Sequence, residues 1–104
     1  MKETNYIPQF PTIYAFLLEK YSQAMLSNSR DSLLAYTALA ATVRSISALN
    51  TDGIFPELFT KNFCIDIDAV SSKVHNKLGN EKLNANQAMC QSMLLDLRKK
   101  LSGK

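Results

Sequence analysis

The pattern of apolar positions along the chain predicts a series of helices and no sheet. From Pro11 to Leu26, apolar side chains recur every three or four residues, which is the period of an amphipathic helix that buries one face. Proline suits the first turn of such a helix, because the N–H that it lacks would have no intrahelical partner there. The sequence therefore predicts a first helix over these residues, after an irregular lead-in.

Residues 32 to 49 form the most apolar stretch of the chain. They include neither Gly nor Pro, and Arg44 is the only charge within the apolar run. Arg30, Thr37 and Arg44 recur every seven residues and drift only about 20° per heptad around a helix, so they predict one narrow polar stripe. We expect residues 33 to 49 to be a central helix, enclosed by its neighbours on nearly all sides, with the stripe facing water.

The segment after this helix is predicted to be broken into short pieces. Residues 51 to 53 form a turn cluster, in which Gly53 supplies a left-handed conformation. Residues 55 to 59 are rich in bulky apolar side chains and have Pro56 in the first turn, which predicts a short helix on the core. Residues 63 to 67 alternate with the period of a strand, but no second strand accompanies them, so we expect an extended connector.

Two further helices are predicted in the last third of the chain. Asp66 can cap a fourth helix that ends at Gly79 and Asn80. Asn84, with Gln87 three residues later, has the spacing of a capping box at the start of a final helix that runs nearly to the C-terminus. The apolar faces of these two helices are formed by Ile67, Val70, Val74 and Leu78, and by Ala88, Met89, Met93, Leu94, Leu97 and Leu101.

Together these elements predict an all-α fold. The chain of 104 residues has an ordinary size for one domain and is long enough to bury a core of its own. We expect a compact single domain over residues 1 to 104, a bundle of four to five helices around the central apolar helix at residues 30 to 50.

The charges are unevenly distributed, although the net charge is only +3. Residues 1 to 50 carry a net charge of +1 (four cations, three acids), residues 51 to 72 carry −3 (one cation, four acids) and residues 73 to 104 carry +5 (seven cations, two acids). Such an asymmetric field steers partners more than it determines a fold. The acidic segment contains Asp52, Glu57, Asp66 and Asp68.

The sequence predicts a reduced, cytoplasmic protein without a membrane span. Cys64 and Cys90 lie far apart and form no Cys-x-x-Cys pair, and the N-terminus has no apolar segment typical of a signal peptide. We expect the longest apolar run to be too short, and too interrupted by Thr, Ser and Arg, to cross a bilayer, which requires about 20 predominantly apolar residues.

Candidate catalytic and cofactor-binding residues are few. His75 is the sole histidine, and a Cys/His/Asp arrangement of it with Asp68 and Cys64 or Cys90 is one interpretation, although a solvated surface histidine is the commoner explanation. No zinc-type spacing and no glycine-rich phosphate loop is found in the sequence. We therefore expect a protein that is not an enzyme and that uses no cofactor or metal.

A protein-binding function is the leading hypothesis. Aromatic side chains with polar tips, such as Tyr6 and Tyr14, are enriched at protein interfaces, although a structural role at the edge of a core also explains each of them. The four acidic residues could present carboxylates where a nuclease expects phosphates. The sequence thus favours an inhibitor, of the kind represented by immunity proteins and antitoxins, that covers the active surface of a basic toxin or nuclease.

The main alternative is a small nucleic-acid-binding regulator. Arg98, Lys99 and Lys100 form the densest basic cluster and could contact phosphates. Three cations at the end of a helix also complement the negative end of its dipole, so this cluster has a structural explanation as well.

Overall fold

The computed structural model describes residues 9–27, 29–80 and 82–102, and all the regular elements in those ranges are α-helices. They are α1 (Gln9–Leu26), α2 (Ser29–Thr51), α3 (Glu57–Leu78) and α4 (Ala85–Ser102). The predicted all-α class is therefore confirmed, with four helices in the described part of the chain. Tyr6, predicted as a partner contact, lies outside the described residues.

The core lies around α1 and α4, and α2 and α3 each pack against both of these helices. The most extensive contact is between α1 and α2. The largest fully buried side chains come from all four helices, and α2 and α3 contribute two each. They are Leu17, Tyr21, Met25, Leu39, Ile46, Phe63, Ile67, Cys90, Leu94 and Leu97.

The prediction that residues 33 to 49 are enclosed on nearly all sides is wrong. In α2 only Ala35, Leu39 and Ile46 are buried, whereas Leu33 and Leu34 are 53% and 66% exposed. The reason is that α2 packs on α1 and α4 but has no close contact with α3 among the described residues. Two neighbouring helices cover only part of the circumference of α2, so α2 lies at the edge of the bundle.

The prediction that the apolar run is too short to span a bilayer also needs correction. Residues 30 to 51 form 22 continuous helical residues that are long and apolar enough to cross a membrane, and only 17% of the most apolar window is buried inside the fold. At 1.5 Å per residue they extend about 33 Å, close to the thickness of a hydrocarbon core. Length and composition alone therefore do not distinguish α2 from a spanning helix.

A single helix replaces the predicted short helix, extended connector and fourth helix. Glu57–Leu78 is continuous, so Asp66 lies inside α3 and does not cap a helix. The buried residues of α3 are Thr60, Phe63, Cys64, Ile67 and Val74, and their spacing is that of a helix. The strand-like alternation was misleading because Ile65, which extended it, is exposed.

Tight turns end α2 and α3 at the two positions predicted for glycine. Gly53 has a φ of 72°; its N–H donates to the Asn50 carbonyl, and the N–H of Ile54 donates to the Leu49 carbonyl, at 3.0 and 3.1 Å. These two bonds form a Schellman motif, which needs a left-handed residue. Gly79 has a φ of 63° and closes α3 through a 3.0 Å bond to the His75 carbonyl.

Candidate protein-binding groove

A surface depression lies between the first half of α3 and the end of α4. This α3/α4 groove has a volume of about 800 Å³ and is open to solvent. Its apolar lining comes from the α2–α3 loop, α3 and α4, and its charged lining comes from both helices. The lining residues are Gly53, Phe55, Glu57, Thr60, Lys61, Cys64, Ile65, Arg98, Leu101 and Ser102.

A bidentate ion pair forms one side of the groove. The Arg98 guanidinium donates from Nε and Nη2 to the two carboxylate oxygens of Asp68, at 2.9 and 2.8 Å. These hydrogen bonds hold the pKa of Asp68 below its usual value and raise the pKa of Arg98. Arg98 therefore already has a carboxylate partner within the protein, which reduces its availability for phosphates.

Cys64 lies at the floor of the groove and is 6% exposed. Burial raises the pKa of its thiol, although the nearby Arg98 acts in the opposite direction. The sulfur lies 3.9 Å from the Arg98 carbonyl oxygen, as a weak thiol donor. A thiol with a raised pKa is a poor nucleophile at neutral pH, so this cysteine acts mainly as an apolar part of the floor.

Aromatic rings support the groove from the core side. Tyr14 of α1 stacks on Phe63 with ring centroids 4.3 Å apart and meets Phe59 edge-on at 5.8 Å. Phe59 in turn packs against Phe55, which lines the groove. Tyr14, predicted as a partner contact, is half-buried in this stack, so the structure favours the structural role for its ring.

The four predicted acidic residues do not form one surface. Glu57 lines the groove, Asp52 is exposed immediately before the groove residue Gly53, and Asp68 is paired with Arg98. Asp66 is two residues from Asp68, which places it about 200° away around α3, on the opposite flank. Three of the four acidic positions are thus associated with the groove or its ion pair, and Asp66 is not.

Sequence analysis missed the most exposed apolar residues beside the groove. Leu58 and Ile65 are 67% and 59% exposed and lie seven residues apart, so they share one face of α3 with Lys61 between them. Their spacing was the available signal, but it was hidden because residues 63 to 67 were interpreted as a connector. These two side chains extend the apolar lining of the groove onto the surface.

The Cys/His/Asp arrangement considered from the sequence is not assembled. His75 is exposed in the last turn of α3, about 16 Å along the helix from Cys64. Cys90 is fully buried beside Tyr21, and burial raises the pKa of both side chains. Among the described residues no group of three or more His, Cys, Asp or Glu side chains could hold a metal ion.

The predicted basic cluster is divided by the ion pair. Lys99 and Lys100 are exposed in the last turn of α4, where their charges complement the negative end of the helix dipole. Arg98 instead faces α3 and binds Asp68. The three side chains therefore do not present one continuous basic surface.

Comparisons with known proteins supply no relative. No family model, no curated protein and no solved structure matches this chain.

Proposed function

We propose that the protein is a binding module that captures another protein through the α3/α4 groove, as an inhibitor of the immunity or antitoxin type. The observation that supports this proposal is the combination of an apolar depression with two highly exposed apolar side chains, Leu58 and Ile65, at its border. Protein interfaces typically combine an apolar centre, which supplies most of the binding energy, with a charged rim.

The charges at the rim indicate the chemistry of the partner. Asp68 and Arg98 neutralise each other, which leaves Asp52 and Glu57 against the single positive charge of Lys61. We infer a partner that inserts an apolar side chain into the groove and places a basic side chain beside Glu57. A basic toxin or nuclease domain has this chemistry, and covering its active surface would neutralise it.

The direct test is co-expression with the product of the adjacent reading frame, followed by titration of the purified pair. Leu58→Asp should raise the dissociation constant at least about tenfold, because it removes an exposed apolar contact and adds a charge. Leu95→Asp is the control, since Leu95 is 51% exposed on α4 and does not line the groove. Equal weakening by the two variants, or none by Leu58→Asp, would refute the groove as the binding site.

Charge reversal tests the rim separately. Glu57→Lys should weaken capture of a basic partner and slow its association, whereas Asp66→Lys, on the opposite flank of α3, should not. The alternative function predicts a different outcome: nucleic-acid affinity that falls steeply with salt and disappears in a Lys99→Ala, Lys100→Ala variant. That result would favour the regulator and overturn the inhibitor.

A further inference from the structure

The outward face of α2 is a part of the described surface that no other helix covers. We define this face by the exposed residues of α2: Arg30, Asp31, Leu33, Leu34, Thr37, Ala41, Arg44, Ser45, Ala48 and Thr51. It lies on α2, which has no close contact with α3 among the described residues, and it shares no lining residue with the α3/α4 groove. Asp52, beside the groove, is the one residue that this inference shares with the rim described above, so the inference concerns a different surface.

The hydroxyl groups on this face are already satisfied within α2. Thr37, Ser45 and Thr51 each donate to the carbonyl four residues earlier, at 3.2, 3.1 and 3.0 Å. Hydroxyls bonded in this way require no water, so burying them against another surface leaves no donor without a partner. The face is accordingly less polar than its composition suggests.

One charge at each end of α2 opposes the helix dipole. Arg30 lies in the first turn of α2 beside Asp31, which favours the dipole, and Asp52 follows the last residue of the helix. A cation at the N-terminus and an anion at the C-terminus both oppose the dipole of their own helix. A second helix aligned in the opposite direction would place each charge beside the helix end that it favours.

We propose that two copies of this chain pair through antiparallel α2 helices, with the twofold axis beside Ala41. In this register residues whose numbers add to 82 face each other. Leu34 then faces Ala48 of the second copy, so a large side chain meets a small one, and Arg30 faces Asp52 at both ends of the interface. A parallel pair would instead place Leu34 against Leu34 and Arg30 against Arg30, which is sterically and electrostatically worse.

The twofold pairing also fixes the register. Arg30 and Asp52 are 22 positions apart, about 33 Å along α2, so the two ion pairs lie at opposite ends of the interface. Two other charges lie on α2. Asp31 faces Thr51 of the second copy, and Arg44 faces Ala38 and can extend past that small side chain to solvent. The α3/α4 groove stays open in the dimer, which leaves a site for a different partner on each copy.

A charge-swap series in the full chain tests the pairing by sedimentation velocity. Arg30→Asp and Asp52→Arg should each raise the dimer dissociation constant roughly tenfold, and the double variant should restore it. Because the two positions are too far apart to meet within one chain, restoration requires contact between copies. Wild-type protein that remains monomeric at high concentration, or single variants that the double variant does not rescue, would overturn the proposal.

Cysteine cross-linking checks the direction of pairing. Ala41→Cys should form an intermolecular disulfide, since the symmetry axis brings position 41 next to its own copy. Ala48→Cys is the control, because its two copies are separated by about 21 Å along an antiparallel pair. Equal cross-linking at both positions would indicate a parallel pair and refute the model. Co-flotation of the wild type with lipid vesicles in place of dimer formation would assign the face to a membrane and also refute it.

Discussion

The side chain of Gln87 ties the start of α4 to the end of α1, and its removal should cost measurable stability. Its Oε1 accepts from the Asn84 N–H at 2.8 Å, while the Gln87 N–H donates to the Asn84 side chain at 2.8 Å, so the predicted capping box is present. Its Nε2 also donates to the Met25 carbonyl at 2.8 Å. One amide therefore caps one helix and satisfies a carbonyl at the end of another.

The expected size of the effect follows from these bonds. Gln87→Ala removes the bond to the Met25 carbonyl, with a net contribution of about 0.5 to 1.5 kcal/mol. It also removes half of the capping box, so the total loss should be about 1 to 2 kcal/mol. In a domain of this size each kcal/mol lowers the melting temperature by about 4 to 8 °C, so this loss should lower it by about 4 to 16 °C.

Urea unfolding followed by circular dichroism at 222 nm measures this loss and can divide it. Gln87→Glu keeps the acceptor for the Asn84 N–H and adds a negative charge near the N-terminus of α4, but it cannot donate to Met25 when ionised. Its deficit at neutral pH therefore isolates the bond between α4 and α1. Asn86→Ala, at an exposed neighbouring position, is the control. If Gln87→Ala and Asn86→Ala agree within about 0.3 kcal/mol, the bridging role is refuted.

Three further predictions concern the ion pair, the thiols and the core. Because Arg98 depresses the pKa of Asp68, the pair stabilises the protein above about pH 4 and this contribution disappears as the pH falls through the lowered pKa. Both side chains are substantially exposed, so the free energy of unfolding of wild type should exceed that of Asp68→Asn by less than about 1 kcal/mol at pH 7. This difference should vanish near pH 2. A difference that does not change with pH would show that it does not arise from the ion pair. Burial raises the pKa of both thiols, and Cys90 is fully buried whereas Cys64 is 6% exposed. A disulfide reagent at pH 8 should therefore label Cys90 more slowly than Cys64. Rapid labelling of both thiols would contradict the described burial. Leu94→Ala should lower the free energy of unfolding by about 2 to 5 kcal/mol, whereas Leu95→Ala, on the exposed side, should change it by less than about 0.5 kcal/mol. Urea titrations that give similar losses for the two variants would contradict this position of the core.

Local signals in the sequence were sufficient to predict that the chain is helical and where several of its helices begin or end. The end of α1 at Leu26, the left-handed Gly53 and the Asn84 capping box depend on residues within one turn of each other, so neighbouring side chains determine them. Such features can be predicted from the sequence, because they depend on neighbouring residues and need no tertiary contact.

The position of α2 could not be derived in the same way. Its apolar residues surround the whole helix, and many of them are alanines that gain little from burial, so composition did not show which side faces the core. Burial was decided by the number of neighbouring helices, which depends on the path of the entire chain. The pairing of Asp68 with Arg98 spans 30 residues and likewise became evident only from the fold.

The error at residues 63 to 67 had a different cause. Alternation over five residues is too short to distinguish a strand from a helix in which one apolar side chain is exposed. Ile65 was that side chain, and its exposure is also the reason that the groove was overlooked.

The order of contacts has a consequence for biosynthesis. Because α1 meets α2 most extensively and the two are adjacent in the chain, this hairpin can form while later segments are still being translated. Residues 85 to 102, which touch every other helix, leave the ribosome after the other three helices. Until they emerge, Leu17 and Tyr21 lack part of their covering, so the nascent chain depends on α4 to complete the core.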